Sequence, residues 1–381
     1  MRRNELPTPC YVIQEEQLRQ NLEILKGVMD RTGCKILLAQ KAFSMYEVYP
    51  LIAQYLSGTT ASGLYEAKLG AEEMGIPFGK ETHIFSPAYK EEEFEEILTY
   101  CDHIVFNSFE QLERFGKRAA EAGKSVGLRI NPQYSTLEGH EIYDPCAAGS
   151  RLGVTVEKFR PELLEYVDGL HFHTLCEQDA QPLHDTLKEV ERQFGEWLPK
   201  MKWLNFGGGH HITREGYDIA LLERCICEMK EKYDLEIFLE PGEAVALNAG
   251  VLLTKVEEIV ENSIQIAILD TSAACHMPDV LEMPYRPPLQ DGYEAEEKEY
   301  TYRLAGPTCL AGDVIGDYYF PKELKAGDMV IFGDMAIYTT CKNNTFNGMP
   351  LPDIWSLGMQ GRLEQVTAFG YQDFKTRLGR K

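Results

Sequence analysis

The sequence lacks the patterns that mark several large classes of protein. Its ten cysteines form no C-x-x-C pair and its nine histidines no H-E-x-x-H spacing, so neither a zinc ribbon nor a zinc-peptidase centre is indicated, and we expect no metal ion. No G-x-G-x-x-G occurs, which is the fingerprint of dinucleotide-binding folds. No run approaches the roughly 18 apolar residues of a membrane span. The chemistry must therefore be sought elsewhere in the chain.

Basic residues are scarce relative to acidic ones. The chain has 38 lysines and arginines against 60 aspartates and glutamates, a net charge of −22. Nucleic acid would be repelled, whereas a cationic substrate would be attracted, although acidic surfaces are also common on proteins that simply remain soluble. The N-terminus has no apolar segment of a signal peptide, and the scattered cysteines are typical of reduced thiols. We expect a cytoplasmic protein without a membrane partner.

Short apolar or β-branched runs alternate with amphipathic helical patterns from residue 35 to residue 242. Eight such strand–helix units predict a (β/α)8 barrel; a doubly wound open sheet has the same alternation, but the count of eight favours closure. The predicted strands span residues 35–39, 58–62, 82–86, 103–108, 126–131, 169–174, 203–208 and 236–242.

After the barrel pattern the character of the sequence changes. Helical periodicity fades, and short β runs with glycine, proline and tyrosine replace it. We therefore predict a barrel over residues 26–255 and a β domain over 256–381, which the N-terminal segment 1–25 joins through the strand-like "TPCYVI". The expected fold class is α/β, a barrel followed by a C-terminal β domain.

Several chemically useful residues follow the predicted barrel strands. Because barrel active sites lie at the carboxyl ends of the strands, these residues should meet at one mouth. They are Lys41 after the first strand, His173 at the sixth, Gly207, Gly208 and Gly209 at the seventh, and Glu240 at the eighth.

Each of these residues has a plainer explanation when it is taken alone. Lys41 would extend its ammonium to water, His173 would be a core histidine, the glycines a tight turn and Glu240 a capping or ion-paired carboxylate. Together they provide an amine, a stacking ring, a phosphate cradle and a carboxylate around one cavity. Pyridoxal 5′-phosphate requires this set of groups.

At these residues the sequence resembles the alanine-racemase-fold (fold type III) pyridoxal-phosphate decarboxylases, over nearly the whole chain. Those enzymes act on ornithine, diaminopimelate and related diamino acids. The motifs "LLAQKAFS", "GLHFHTLCEQ", "NFGGGHHIT", "LEPGEA", "GPTCLAGD" and "FGDMAIYT" are most similar to those of the carboxynorspermidine/carboxyspermidine decarboxylases within that group. The resemblance implies a pyridoxal-phosphate barrel with a C-terminal β domain.

The resemblance also implies roles for individual residues. Lys41 would form the Schiff base, His173 would stack on the cofactor ring, the three glycines would bind its phosphate and Glu240 would face its pyridine nitrogen. From "GPTCLAGD", Cys309 would reprotonate the substrate Cα from the second subunit of a homodimer, and Asp313 would hold the distal amine of the substrate. Tyr338 in "AIYT" would contact the phosphate. Without the resemblance, these last three would be interpreted as a buried thiol, a turn residue and a core residue.

One position departs from the pattern of the ornithine and diaminopimelate decarboxylases, which usually have arginine after E-P-G, in contact with the phosphate. Here Glu243 follows, and it would repel a phosphate. It is either a surface carboxylate or a group that binds a cationic substrate tail. Arg286, in "PYRPP", is a candidate for holding a substrate carboxylate.

Two alternatives to a carboxynorspermidine or carboxyspermidine decarboxylase remain open. One is a diaminopimelate decarboxylase, or another diamino-acid enzyme of the same fold. The other is a non-catalytic barrel that binds pyridoxal phosphate; such proteins lack the large β domain, so residues 256–381 weigh against it.

Overall fold

The computed structural model describes residues 5–137, 143–290 and 300–379. They form two compact units, Arg19–Val245 and the remainder of the chain on either side of it. The sequence suggested 26–255 for the first unit, with 1–25 and 256–381 in the second.

Eight parallel strands close into a barrel in the first unit, which confirms the predicted fold class. β9 pairs back onto β2 through Lys35 opposite Phe238 and Ile36 opposite Leu239. After β1 (Cys10–Gln14), which belongs to the second unit, the barrel strands are β2 (Lys35–Ala39), β3 (Gly58–Ala61), β4 (Glu81–Phe85), β5 (His103–Phe106), β6 (Ser125–Arg129), β7 (Gly169–His171), β8 (Trp203–Asn205) and β9 (Glu236–Leu239).

Seven of the eight barrel strands end earlier than predicted. β7 stops at His171 and β8 at Asn205, where the predicted strands reached 174 and 208. The residues that follow, Phe172 and Phe206, are fully buried. Because these loop residues are apolar, they extended the apolar pattern of the sequence beyond the true ends of the strands. The strands end before the predicted positions, and a residue after β7, His173, lines the cavity at the carboxyl ends of the strands.

Helices alternate with the barrel strands, as the sequence predicted. They are α1 (Glu15–Thr32), α2 (Tyr49–Ile52), α3 (Leu64–Gly70), α4 (Ile76–Phe78), α5 (Glu91–Tyr100), α6 (Phe109–Gln111), α7 (Lys117–Glu121), α8 (Ala180–Phe194), α9 (Ile219–Tyr233) and α10 (Glu243–Ala246). Single π turns, Ala71–Gly75 and Leu112–Gly116, join α3 to α4 and α6 to α7, and 3-10 turns span Tyr46–Val48, Val156–Lys158, Pro161–Tyr166 and Leu198–Lys200. Among the described helices, none has the length and apolar character needed to cross a bilayer.

Helix α8 illustrates why these segments are helical. The Asp179 side chain caps its first turn by accepting a hydrogen bond from the Ala180 N–H. Four apolar side chains on one face of the helix are buried: Leu183, Leu187, Val190 and Phe194. Their spacing of three and four residues places them on one stripe, and burying that stripe stabilises the helix on the barrel.

The barrel interior is filled by large side chains opposite glycines. A Cβ atom on Gly169 would lie 2.0 Å from the ring of Trp203, and one on Gly127 would lie 2.4 Å from it. Only glycine therefore leaves room for the indole, whose Nε1–H donates to Ser125 Oγ at 2.9 Å. Leu37, Val105 and Phe238 pack in the same cluster.

The second unit is built on one mixed sheet. Its strands are β1, β10 (Gly250–Asn262), β11 (Ile264–Leu269), β12 (Tyr300–Ala305), β13 (Val314–Phe320), β14 (Met329–Phe332), β15 (Asp353–Leu357) and β16 (Leu363–Thr367). The order is β13-β12-β11-β10-β1-β15-β16, with β14 on β10. Short helices accompany it: α11 (Ala273–His276), α12 (Asp279–Glu282), α13 (Thr339–Lys342), α14 (Tyr371–Thr376) and the 3-10 turn Phe346–Gly348.

Strand β1 lies in the middle of this sheet, antiparallel to β10 and parallel to β15. Its side chains alternate between two cores, because successive residues of a strand face opposite sides. Tyr11 packs with Leu252 and Phe332, whereas Val12 packs with Val251 and Trp355. The N-terminal segment thus pairs with strands that come more than two hundred residues later.

Candidate active site

The carboxyl ends of the barrel strands surround a cavity of about 210 Å³. Of the predicted site residues, Lys41, His173 and Glu240 line it together. Arg129, His171 and Phe85 also line it, together with the hydroxyl-bearing residues Thr60 and Ser62. One cavity thus brings together an amine, a carboxylate and two imidazoles.

Lys41 extends from the end of β2 into this cavity and is accessible to solvent through its open side. Barrel atoms nevertheless surround the amine, and this burial lowers its pKa below the usual lysine value. The charge of Arg129 lowers the pKa further, while Glu240 and Glu66 oppose the change. A lysine amine that is less readily protonated is a better nucleophile.

Glu240 is held as a carboxylate at the base of the cavity. It is only 6% exposed, accepts a hydrogen bond from Asn205 Nδ2 at 2.9 Å, and lies 3.1 Å from His171 Nε2. Burial alone would raise its pKa, but His171 and Asn205 outweigh burial and lower the pKa of Glu240 to about 2. Glu240 is therefore ionised at neutral pH.

His171 supports that carboxylate as a neutral ring. Burial lowers its pKa below the usual histidine value, so the ring is neutral at neutral pH and its Nε2–H donates a hydrogen bond to the ionised Glu240. Its Nδ1 is buried and has no hydrogen-bond partner in the described part of the chain. A neutral donor orients Glu240 without cancelling its charge.

His173 presents a neutral aromatic ring to the cavity. Its Nδ1 accepts the Gly208 N–H at 3.2 Å, and its carbonyl accepts a hydrogen bond from Arg129 Nη2 at 3.1 Å. Burial lowers the pKa of His173 well below the usual histidine value. An uncharged, anchored ring at this place suits stacking on a planar ligand.

The three glycines after β8 are required by close packing. Cβ atoms on Gly207, Gly208 and Gly209 would lie 2.3, 2.6 and 2.0 Å from backbone oxygens, and φ is positive at Gly207 and Gly209. The Gly207 N–H already donates to Asn205 Oδ1 and the Gly208 N–H to His173 Nδ1. The prediction that this turn binds phosphate thus depends on the Gly209 N–H and the residues after it.

Sequence analysis missed Arg129, a buried cation in this wall. Its guanidinium carbon lies 4.5 Å from the centre of the Phe85 ring, and burial lowers its pKa to about 10. Arg129, His171 and Asn205 are direct neighbours across β6, β7 and β8. A polar residue at the end of each of three successive apolar strands was the available signal.

The remaining predicted site residues, apart from Glu243, belong to the second unit. Cys309 is exposed, and the Asn347 side-chain amide donates to its sulfur at 3.9 Å. Arg286 is also exposed and donates to the Asp317 carbonyl at 2.6 Å; its role as a carboxylate ligand stays a prediction. In the barrel unit, half-buried Glu243 begins α10, directly after the turn that follows β9.

Tyr338 has an unusual backbone conformation, with φ at +57°. The Thr339 N–H donates to the Ile337 carbonyl at 2.6 Å, which closes a three-residue turn around Tyr338. Such turns are strained for a residue other than glycine, and strained residues cluster at functional sites. The predicted phosphate contact of Tyr338 agrees with this but is not established by it.

Asp313, predicted to hold the distal amine of the substrate, is enclosed within its own unit. It is 2% exposed, and both of its carboxylate oxygens accept hydrogen bonds from its own unit, from Ser272, Ala274 and Thr308. Donors of its own unit therefore already engage both carboxylate oxygens, and its role as a substrate ligand stays a prediction. The sequence motif located the residue but not the direction of its side chain.

A second polar cluster lies at the starts of the strands, away from the cavity. Glu81, His83 and His103 bring possible metal-ligand atoms within 4.8 Å of one another. The two imidazoles, however, stack with centroids 3.9 Å apart and planes 7° apart. Nitrogen lone pairs in parallel planes do not converge on one ion, and Lys35 already pairs with Glu81. This cluster therefore does not have the geometry of a metal site.

Comparison with known proteins agrees with this chemistry. A protein-family model described as "Pyridoxal-dependent decarboxylase, C-terminal sheet domain" matches residues 10–336. A carboxynorspermidine/carboxyspermidine decarboxylase of Campylobacter jejuni is 43% identical, covering 98% of this chain and 99% of that protein. A carboxyaminopropylagmatine decarboxylase of Synechocystis is 41% identical, covering 99% and 97%. The crystal structure of a Campylobacter jejuni carboxynorspermidine decarboxylase complexed with norspermidine superimposes with a TM-score of 0.90 at 42% identity, over 98% of this chain and all of that one.

Proposed function

The chain belongs to the family of pyridoxal-dependent decarboxylases, and we propose that it removes carbon dioxide from carboxynorspermidine or carboxyspermidine, leaving norspermidine or spermidine. The observation that carries the decarboxylase chemistry is the convergence of Lys41, His173 and Glu240 on one cavity. The substrate assignment is supported by relatives that are 35–43% identical over the full chain and bear that name.

The residues of the cavity fit the cofactor. Lys41 would hold its aldehyde covalently, and the ionised Glu240 would keep its pyridine nitrogen protonated. The neutral ring of His173 would lie against the cofactor ring, while the turn of Gly207, Gly208 and Gly209 would receive the phosphate. The phosphate contact of Tyr338 stays a separate prediction. When bound, pyridoxal phosphate takes up the electron pair that the departing carbon dioxide leaves on Cα.

Cys309 is proposed as the acid that returns a proton to Cα. Its exposure at the surface of its own subunit supports delivery to a partner, so the active enzyme would be a homodimer in which Cys309 of the partner subunit completes each site. An isologous dimer forms two equivalent sites by this exchange. A location in the cytoplasm likewise stays a prediction.

The substrate proposal also rests on charge. Such substrates join an α-amino acid to a tail of secondary and primary amines, so the tail is cationic. Glu243 follows the turn after β9 in place of an arginine, and the chain as a whole carries −22. We therefore propose Glu243 as a group that meets the tail.

A substrate panel tests this assignment. Carbon dioxide release should be measured with carboxynorspermidine, carboxyspermidine, diaminopimelate and ornithine, and the first two should have the highest kcat/KM. Glu243→Ala should lower kcat/KM for these two by about fivefold, as expected for a partly exposed ion pair. Glu231→Ala on the exposed face of α9 removes the same charge and should have no effect. Faster turnover of diaminopimelate would refute the substrate proposal while leaving the decarboxylase assignment intact.

A second candidate substrate deserves a place in the panel, because the Synechocystis relative named for carboxyaminopropylagmatine is nearly as similar as the first. That molecule ends in a guanidinium group instead of a primary amine. A planar guanidinium favours a bidentate carboxylate partner, whereas an ammonium accepts any close oxygen. A higher kcat/KM for carboxyaminopropylagmatine would select this candidate.

A further inference from the structure

We propose that Asp313 is a positioning residue that fixes the loop carrying Cys309. The proposal rests on the proposed function, in which the Cys309 thiol gives a proton to the substrate Cα. The loop comprises residues 306–313 and connects β12 to β13. A proton donor on an exposed loop must be held in place, because proton transfer requires close and aligned atoms.

Asp313 forms hydrogen bonds with other residues of its own loop. Its Oδ2 accepts hydrogen bonds from Thr308 Oγ1 at 2.7 Å and from the Thr308 N–H at 3.4 Å. The Gly306 N–H donates to the Asp313 carbonyl at 2.9 Å, and a Cβ atom on Gly306 would lie 2.2 Å from Oδ2. Glycine at 306 thus makes room for the carboxylate, which closes the loop directly beside Cys309.

Asp313 also ties the loop to helix α11. Its other oxygen, Oδ1, accepts hydrogen bonds from Ser272 Oγ at 3.0 Å and from the Ala274 N–H at 3.2 Å. Ser272 caps that helix by accepting the Cys275 N–H. A single buried carboxylate therefore links two segments of the chain, and charge-assisted hydrogen bonds of this kind are about twice as strong as neutral ones.

The same helix supports the amide that contacts the Cys309 sulfur. Asn344 donates from its backbone to the Cys275 carbonyl and from its side chain to the Ala274 carbonyl. Three residues later, Asn347 Nδ2 reaches the Cys309 sulfur at 3.9 Å. Helix α11 thus supports both the loop of the thiol and the amide that orients it.

Loosening this loop should change where the proton goes. With Cys309 in place, the carbanion left by carbon dioxide is protonated at Cα, and the amine product forms. If the proton is instead added to the cofactor's aldehyde-derived carbon, hydrolysis releases the substrate skeleton as an aldehyde and the cofactor as pyridoxamine phosphate. Cα loses two electrons and the cofactor carbon gains two, so no external oxidant or reductant is needed. Water is the only co-reactant.

The ratio of aldehyde to amine product tests the proposal in the holoenzyme with carboxynorspermidine. In Asp313→Asn the aldehyde fraction should rise by about tenfold or more, while KM stays within about twofold. Thr308→Val removes the hydroxyl that donates to Asp313 and accepts the Leu310 N–H. It should raise the fraction to a smaller extent and covers the case that Asp313→Asn does not fold. Thr301→Val, on the exposed side of β12, is the matched control and should leave the ratio unchanged.

Three other results would contradict the positioning role of Asp313 or the acid role of Cys309. A raised KM with an unchanged product ratio in Asp313→Asn would mean that Asp313 holds the substrate after all. An unchanged ratio in both Asp313→Asn and Thr308→Val would also refute the positioning role. Cys309→Ala is the reference: if its own ratio matches wild type, the acid role in the proposed function fails, independently of Asp313.

Discussion

His103 should make the barrel sensitive to acid. Its ring stacks on that of His83 among aromatic side chains of the barrel interior, and its Nδ1 has no partner among the described residues. Burial is the main cause that lowers the pKa of His103 to about 2; His83 and Lys35 lower it further, and Glu81 opposes them. The ring is thus neutral in the folded protein throughout the usual pH range.

The size of the effect follows from the difference between the folded and unfolded proteins. An unfolded histidine has a pKa of about 6.5, so below that pH the unfolded chain takes up a proton that the folded chain refuses. At pH values above the unfolded pKa, His103 does not change the free energy of unfolding. As the pH drops below the unfolded pKa, the free energy of unfolding falls, and it keeps falling until the pH reaches the pKa of His103 in the folded protein. Between pH 7 and pH 5 the loss in the free energy of unfolding is about 2 kcal/mol for this one group.

Urea denaturation at several pH values, at fixed protein concentration and ionic strength, measures this loss. His103→Phe keeps an aromatic ring against His83 but cannot titrate, so its free energy of unfolding should fall by about 2 kcal/mol less than that of wild type between pH 7 and pH 5. His184→Gln, which removes a partly exposed histidine of α8, is the control and should follow wild type. Parallel pH dependences of wild type and His103→Phe would refute the argument.

Three further predictions concern the active site. Wild type should show a visible absorption band that borohydride abolishes, and Lys41→Ala should fold but hold no cofactor covalently; a wild type that binds no pyridoxal phosphate would contradict the cofactor assignment. Lys41→Ala and Cys309→Ala, each nearly inactive, should recover about a quarter of wild-type activity when dissociated and remixed 1:1, because half of the dimers then contain one intact site; mixed dimers without activity would mean that each subunit completes its own site. Glu240→Gln should lower kcat by about 100- to 1000-fold with the cofactor still bound, and an unchanged kcat would exclude a role for the carboxylate charge.

The barrel was predictable because its strands are buried on both faces. Such strands appear as short continuous apolar runs, and a count of eight distinguishes closure from an open sheet. Their ends were not predictable, since Phe172 and Phe206 are as buried as the strand residues before them. The close packing of the Trp203 ring against Gly169 could not be predicted either, because the two residues lie on different strands.

The active site was predictable in part for a similar reason. Lys41, His173 and Glu240 follow strands, and the geometry of a barrel brings strand ends together whatever the details of packing. Arg129, His171 and Asn205 were missed because they are the last residues of β6, β7 and β8, and the predicted strands continued past them. Their alignment across three strands depends on register, which a single sequence does not specify.

For Asp313, the sequence motif alone leaves two roles open. The motif "GPTCLAGD" places an acidic residue four positions after the thiol, and either substrate binding or loop support is compatible with that spacing. The choice depends on Ser272, which is 41 residues away in the sequence and hydrogen-bonded to Asp313 in the fold. A buried carboxylate that must satisfy four donors stabilises a conformation more than it attracts a ligand, because its charge is already compensated locally. On the proposed positioning role, the loop of Cys309 would be held by a residue that need not touch the substrate.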